Sequence, residues 1–196
     1  MTTIMKSVSP RICEKVANGD CTILVSKTAP KCEVPFKCYI YATKKKHLIA
    51  IFKKGEYIFS DDHSFGKFDE NIFVKDNHRW QGKVIGEFVC DKIIEWQYDK
   101  GHQYYVDYPD DCTSYFPYLK CHSEATGLKC SEIEKLGKGK PLYGWHISDL
   151  KIYDKPKELS EFFTPMGKRP SYMVERPPQS WQYVEEEDEQ DTSGYT

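Results

Sequence analysis

Residues 7–26 read SVSPRICEKVANGDCTILVS, and they set the start of the fold. Ser9 is placed to cap a helix, and Pro10 suits its first position, where no N–H donor is needed. Ile12, Cys13 and Val16 fall on one helical face, and Gly19 supplies the stop, since glycine takes the left-handed conformation that ends a helix. The spacing predicts a short amphipathic helix over 10–18. The β-branched run TILVS (22–26) then reads as a strand leaving it.

Outward from this unit, strands dominate. After a loop bracketed by Pro30 and Pro35, the runs FKCYIYAT (36–43), HLIAIFKK (47–54) and EYIFS (56–60) are strand-like. KVIGEFVC (83–90) is the best internal strand and continues through IIEWQY (93–98). PLYGWHISDLKIY (141–153) reads as one long strand with a bend or bulge at Gly144. PQSWQYV (178–184) reads as a last short one. Between them, SEIEKL (131–136) carries the capping pattern Ser131…Glu134 and stops at Gly137, a short helix, and ELSEFF (158–163) allows one helical turn or two. Regular βαβ alternation is missing. The expected class is therefore α+β, a small curved mixed or antiparallel barrel-like sheet with an N-terminal helix and short connecting helices. A single domain over 1–184 is expected, with insertions at about 55–80 and 99–130 and an acidic disordered tail over 185–196.

The bulk numbers narrow the function classes. Of 196 residues, 39% are hydrophobic and 30% charged, as in an ordinary globular protein. No apolar run approaches the ~20 residues of a membrane span. MTTIMKSVSP has one Lys and no apolar core of an export signal, so the chain is expected to be cytoplasmic, without a membrane partner. The eight cysteines show no CxxC spacing; Cys112, Cys121, His122 and Cys130 form only a loose group, so neither a metal nor a cofactor is expected. Net charge is −2, but six acids crowd EEEDEQD (185–191). Residues 1–184 thus keep 24 acids against 28 Lys and Arg, a body charge of +4. That is compatible with an anionic partner without demanding one.

The order of SVSP, a helix ending at Gly19, TILVSKT, PFKCYIYATK, KVIGEFVCDKI, PLYGWHISDLKIYDKPKELSEF and RPPQSWQYVEE resembles ASCH-domain proteins of the PUA-like superfamily, above all small ones from phages and prophages of Firmicutes. The resemblance implies a fold that handles RNA or modified nucleobases. Its signature, Gly-x-Lys-x-x-Glu-x-Arg with Thr sometimes replacing Glu, follows the first helix. Gly19 matches it, but Cys21, Leu24 and Ser26 stand where the Lys, the acid or Thr, and the Arg would be. Relatives that hydrolyse acetylated cytidine add a Glu from a later strand, for which Glu87 is the counterpart. With the rest of the set replaced, no catalytic residue is assigned, and a non-catalytic binding module is expected. A divergent amidohydrolase or nuclease, and an accessory protein that binds a host protein, are the alternatives.

Lys27 and Lys31, just after the strand, are placed to contact phosphate or simply to face solvent. In GWHISDL, strand alternation puts Trp145, Ile147 and Asp149 on one face and His146 and Ser148 on the other. Trp145 would stack on a base or fill the core, and Asp149 would bind ligand or backbone. Cys21 would be a nucleophile only with a positive neighbour and His146 or Glu87 as base. Lys44–Lys46, His47, Lys53 and Lys54 form a basic edge or a solvated one. The expected nucleic-acid-binding set is Lys27, Lys31, Glu87, Trp145, His146, Ser148 and Asp149.

Overall fold

The computed structural model describes residues 1–44, 49–53, 56–60, 80–98, 104–105, 125–166 and 170–186. The chain begins with β1 (Thr3–Val8), α1 (Pro10–Ala17), β2 (Ile23–Ser26) and β3 (Phe36–Ala42). There follow β4 (Ile49–Lys53), β5 (Glu56–Ser60), β6 (Val84–Cys90), β7 (Ile93–Tyr98) and β8 (Tyr104–Tyr105). The last third contains α2 (Cys130–Gly137), β9 (Leu142–His146), β10 (Ser148–Lys157), a 3-10 turn (Leu159–Glu161), β11 (Phe162–Phe163), β12 (Trp181–Tyr183) and β13 (Glu185–Glu186). This is the expected α+β fold, dominated by curved sheet.

The strands form a five-stranded sheet, β10-β6-β3-β1-β12, and a four-stranded one, β2-β9-β7-β8, with β4-β5 and β11-β13 as short pairs. β1 runs parallel to β3, while β12, β6 and β10 pair antiparallel, so the first sheet is mixed. The sequence reading put 22–26, 36–43, 83–90 and 143–152 in one curved sheet; they divide between these two. One ribbon joins the sheets, because β6 and β10 pair in the first while their continuations β7 and β9 pair in the second.

The ribbon turns its corner at Asp91–Lys92 and at Ile147, not at Gly144. The His146 N–H donates to the Lys92 carbonyl at 3.0 Å, and the Ser148 hydroxyl donates to the Val89 carbonyl at 2.8 Å. Asp149 takes φ +47°, the left-handed conformation that short polar side chains tolerate better than most. Gly144 lies inside β9 for another reason. A Cβ there would stand 2.8 Å from Ile23 Cγ2 and 3.2 Å from the Trp96 ring.

Helix α1 buries Pro10, Ile12, Cys13 and Val16, the predicted face. Its cap differs from the expectation: the Ser9 carbonyl, not its hydroxyl, accepts from the Ile12 and Cys13 N–H groups. Gly19, at φ +80°, closes the helix as expected. The capping pattern at α2 is also displaced, since Glu132 rather than Glu134 reaches back, accepting from the Lys129 N–H at 2.7 Å.

The main core lies between α1 and the inner faces of both sheets, with Ile4, Val8, Phe36, Ile40, Phe88 and Trp145 among its members. A second cluster, around Met5, Tyr39, Tyr41, Phe162 and Val184, covers the opposite face of the first sheet. A third packs α2, through Ile133, on Trp96 and Leu142. Burying a side chain such as Phe36 or Phe88 contributes roughly 1.5–3 kcal/mol, so the sequence alternation of β3 is the energetic basis of the two-faced sheet.

Two boundaries need correcting. Glu185 and Glu186, assigned to the tail from sequence, pair with Phe163 and Phe162 as β13. ELSEFF becomes a single 3-10 turn followed by a strand. Most of the insertion at 55–80 and of 99–130, and residues 187–196, lie outside the described residues, as do Lys45–His47, Lys54, Cys112, Cys121 and His122.

Candidate functional site

Cys21, Leu24 and Ser26, which the sequence resemblance sets at the signature positions, are buried and carry no charge. The Cys21 thiol donates toward the Thr126 carbonyl at 3.3 Å and the Ile23 carbonyl at 3.5 Å. Burial pushes its pKa up to about 11, against a weaker downward pull from the bond to Ile23 and the Lys15 charge. A thiol held protonated in this way is no nucleophile at neutral pH. Leu24 sits in the main core opposite Trp145 in the β2–β9 ladder. Ser26 is buried, with its Oγ 3.5 Å from Ser180 Oγ.

Glu87 does not join them. It pairs across the first sheet with Tyr39 and Lys151, on the face away from Trp145 and Leu24. There its carboxylate meets Lys37 Nζ at 2.9 Å and accepts a short hydrogen bond from the Tyr153 hydroxyl. Burial acts to raise the Glu87 carboxyl, but the Tyr153 bond, Lys37 and the Lys151 charge outweigh it and hold it below the usual carboxylate range. Burial and the neighbouring Glu87 in turn push Tyr153 well above the usual phenol range and Tyr39 up to about 12. The Tyr39 hydroxyl donates to Glu186, which also pairs with Lys157. This network ties β3, β6, β10 and β13 together.

A different group assembles on the inner face. Lys6 lies between Ile4 and Val8 on β1, so strand alternation points it into the main core. It is only 4% exposed, and its Nζ stands 4.5 Å from the Trp145 ring centroid. No carboxylate among the described residues pairs with it. Desolvation lowers its pKa to about 8, partly offset by the nearby Cys38 and Cys90 thiols. Those thiols are themselves pushed up by burial, Cys90 to about 12.

Around Lys6 runs a row of aromatic rings. Trp145 meets Phe36 edge-on at 5.4 Å and Trp181 at 5.9 Å with a 56° tilt, and Trp181 meets Tyr183 at 5.5 Å. Trp181 is the cross-strand neighbour of Lys6. The row passes from fully buried Trp145 to half-buried Trp181 and Tyr183, whose outer edges touch the loop after β2. There the Trp181 indole N–H donates to Thr28 Oγ1, and the Lys31 backbone N–H donates to the Tyr183 hydroxyl, both at 2.9 Å.

Of the residues chosen from sequence, Lys27, Lys31 and Trp145 therefore belong to one region: Lys27 and Lys31 exposed at its rim, Trp145 at its floor. His146, Ser148 and Asp149 belong to the corner of the ribbon. His146 Nδ1 contacts Asp91 Oδ1 at 2.7 Å, and Asp149 is exposed. Lys6, Trp181 and Tyr183 were missed. A lone Lys at the midpoint of an Ile4-x-Lys6-x-Val8 alternation was the available signal, hidden because the first ten residues do not otherwise read as a strand.

Among the described residues no group of side chains is arranged to hold a metal ion, and Cys13, Cys21, Cys32, Cys38, Cys90 and Cys130 are free thiols. Among the described residues no helix is long and apolar enough to cross a membrane. No protein-family model matches the chain, and no curated protein does. Solved structures do match. A crystal structure of a single-substitution variant of ZmASCH, the ASCH protein of Zymomonas mobilis, aligns over 94% of this chain and 89% of its own at 12% identity and a TM-score of 0.53. The unsubstituted ASCH from Zymomonas mobilis aligns over the same 94% of this chain, also at 12% identity, with a TM-score of 0.49. The fold of the chain is therefore the PUA-like fold of ASCH proteins.

Proposed function

We propose that the chain is an ASCH-type module that binds RNA or a modified nucleobase without acting on it chemically, with residues 1–186 working as one domain. The observation that carries this reading is the row Trp145–Trp181–Tyr183 beside the buried cation of Lys6. Trp181 and Tyr183, half-buried, are the rings of this row that reach the surface, and base–aromatic stacking contributes ~1–3 kcal/mol per base, since every base offers a face. Lys27 and Lys31 at the rim suit a passing phosphate, which fixes position without reading sequence. Hydrolysis is disfavoured because the signature positions supply only a protonated thiol, a leucine and a buried hydroxyl. None of these stabilises a charged transition state.

The test is direct. A labelled single-stranded RNA of about ten nucleotides, within the span such grooves cover, should bind weakly and lose affinity as salt rises. N4-acetylcytidine incubated with the protein should be recovered intact by chromatography. Turnover at an enzyme-like rate would put a divergent amidohydrolase first. A protein partner, the remaining alternative, would find Met173 half-exposed beside a groove of about 540 Å³ lined by Ser7, Tyr41, Glu158 and Pro178.

A further inference from the structure

Resting on the base-binding reading, we infer that the Lys6–Trp145 pair makes the site select bases that carry a ring carbonyl over bases that carry an amino group at the same position. The inference comes from a count of donors and acceptors. An ammonium has three donors and no acceptor, and an indole has one donor and no acceptor. Lys6 Nζ lies over the Trp145 ring and makes no ion pair with a carboxylate among the described residues, and Trp145 Nε1 is buried without an acceptor. Two pure donors in one aromatic cluster are left for something else to satisfy, and leaving buried donors unpaired is costly. The hydroxyls of Ser26 and Ser180 both donate and accept, so they do not discriminate.

A flat ring entering beside Trp145 would present its edge to Lys6. A carbonyl oxygen there accepts from the ammonium, whereas an exocyclic amine can only donate and meets another donor. Inosine and adenosine differ in this way at one exocyclic group of the purine, as uridine and cytidine do in the pyrimidine. The adjacent ring nitrogen inverts too, a donor in inosine and uridine and an acceptor in adenosine and cytidine, so the preference requires Lys6 to meet the exocyclic group and not that nitrogen. Trp181 stands where such a ring would stack. It is half-buried and sits on a three-residue strand at the edge of its sheet, with its indole N–H bonded to exposed Thr28 at the rim.

The experiment is calorimetric titration of the full chain at pH 7 with inosine, adenosine, uridine and cytidine. Inosine should bind about tenfold or more tightly than adenosine, and uridine than cytidine, in line with the discrimination that one base-edge hydrogen bond provides. Lys6→Met should bring both ratios below about twofold while binding persists, because it removes the donor and keeps the apolar stem. Trp181→Ala should weaken all four nucleosides together without changing either ratio. Near-UV circular dichroism of both variants shows whether the aromatic packing is intact. If the wild-type chain binds both members of each pair equally, or if Lys6→Met keeps the preference, the inference is wrong while the module reading stands. If the chain binds none of the four, the base-binding reading falls and this inference with it. Unchanged affinity in Trp181→Ala would remove the stacking position.

Discussion

Lys6 costs the protein stability, because burial disfavours its charged form. Its pKa is about 8 in the fold against 10.5 for a free lysine. Between those values the unfolded chain binds the proton and the folded chain does not. Stability attributable to this group therefore rises with pH across that window and is lowest below about 8. The depression corresponds to a penalty on the order of 3 kcal/mol at neutral pH. Lys6→Met should accordingly be more stable than wild type at pH 7 in urea unfolding, by roughly 1–3 kcal/mol after some loss of fit. The gap should narrow between pH 8 and 10.5. Comparing the two proteins is essential, because the buried thiols act the other way: their raised pKa values make wild type and variant alike lose stability above pH 9. A variant less stable than wild type at pH 7 would contradict the assignment of Lys6 as a strained buried cation.

At the scale of elements, the corner between β9 and β10 and the network around Glu87 are the parts most open to test. Asp149 at φ +47° would lose little on conversion to Gly, whereas Asp149→Val should cost ~1–2 kcal/mol, as bulky branched residues strain that conformation. Thermal unfolding of the pair would separate backbone strain from any side-chain role. Glu87→Ala leaves Lys37 and the Tyr153 hydroxyl without their acceptor and should cost ~1–3 kcal/mol. Because the Glu87 pKa is depressed, its contribution is present above the ordinary carboxylate pKa and lost as pH falls through the lower folded value. Wild type and Glu87→Ala should then converge in stability in acid, and a gap that persists at pH 2 would argue against the ion pair. These same elements show what the sequence could disclose. Helix α1, β3, β6 and α2 were legible because periodicity and glycine stops are local signals. β1 was not, since it is buried on both faces and Lys6 breaks its apolar run. The corner at Ile147 escaped because only pairing with β6 and β7 decides where β9 ends. The resemblance groups Glu87 with Cys21, Leu24 and Ser26, whereas the pleat of β6 turns it to the face of Tyr39.

For the molecule as a whole, charge and chain end are coupled through Glu186. The C-terminal acids make net charge −2, although residues 1–184 carry +4. Yet Glu186 is part of the fold: it accepts from Tyr39, pairs with Lys157 and belongs to the β13 strand beside β11. Two truncations separate these roles. Ending the chain after Glu186 removes Glu187, Asp188, Glu189 and Asp191, turning net charge from −2 to +2 while leaving every described contact in place. That variant should keep the wild-type unfolding midpoint and bind RNA several-fold more tightly at low salt, with the difference disappearing at high salt as screening takes over. Its preference between inosine and adenosine should not move, because the long-range field acts on phosphate and the Lys6 edge acts on the base. Ending the chain after Val184 instead also removes Glu185 and Glu186, leaving the buried Tyr39 hydroxyl and Lys157 without their acceptor. Stability should then drop by ~1–3 kcal/mol. Equal stability of the two truncations would show that β13 is a passive neighbour of β11. Equal RNA affinity of the wild type and the first truncation would show that the acidic end does not screen the basic body from an added polyanion.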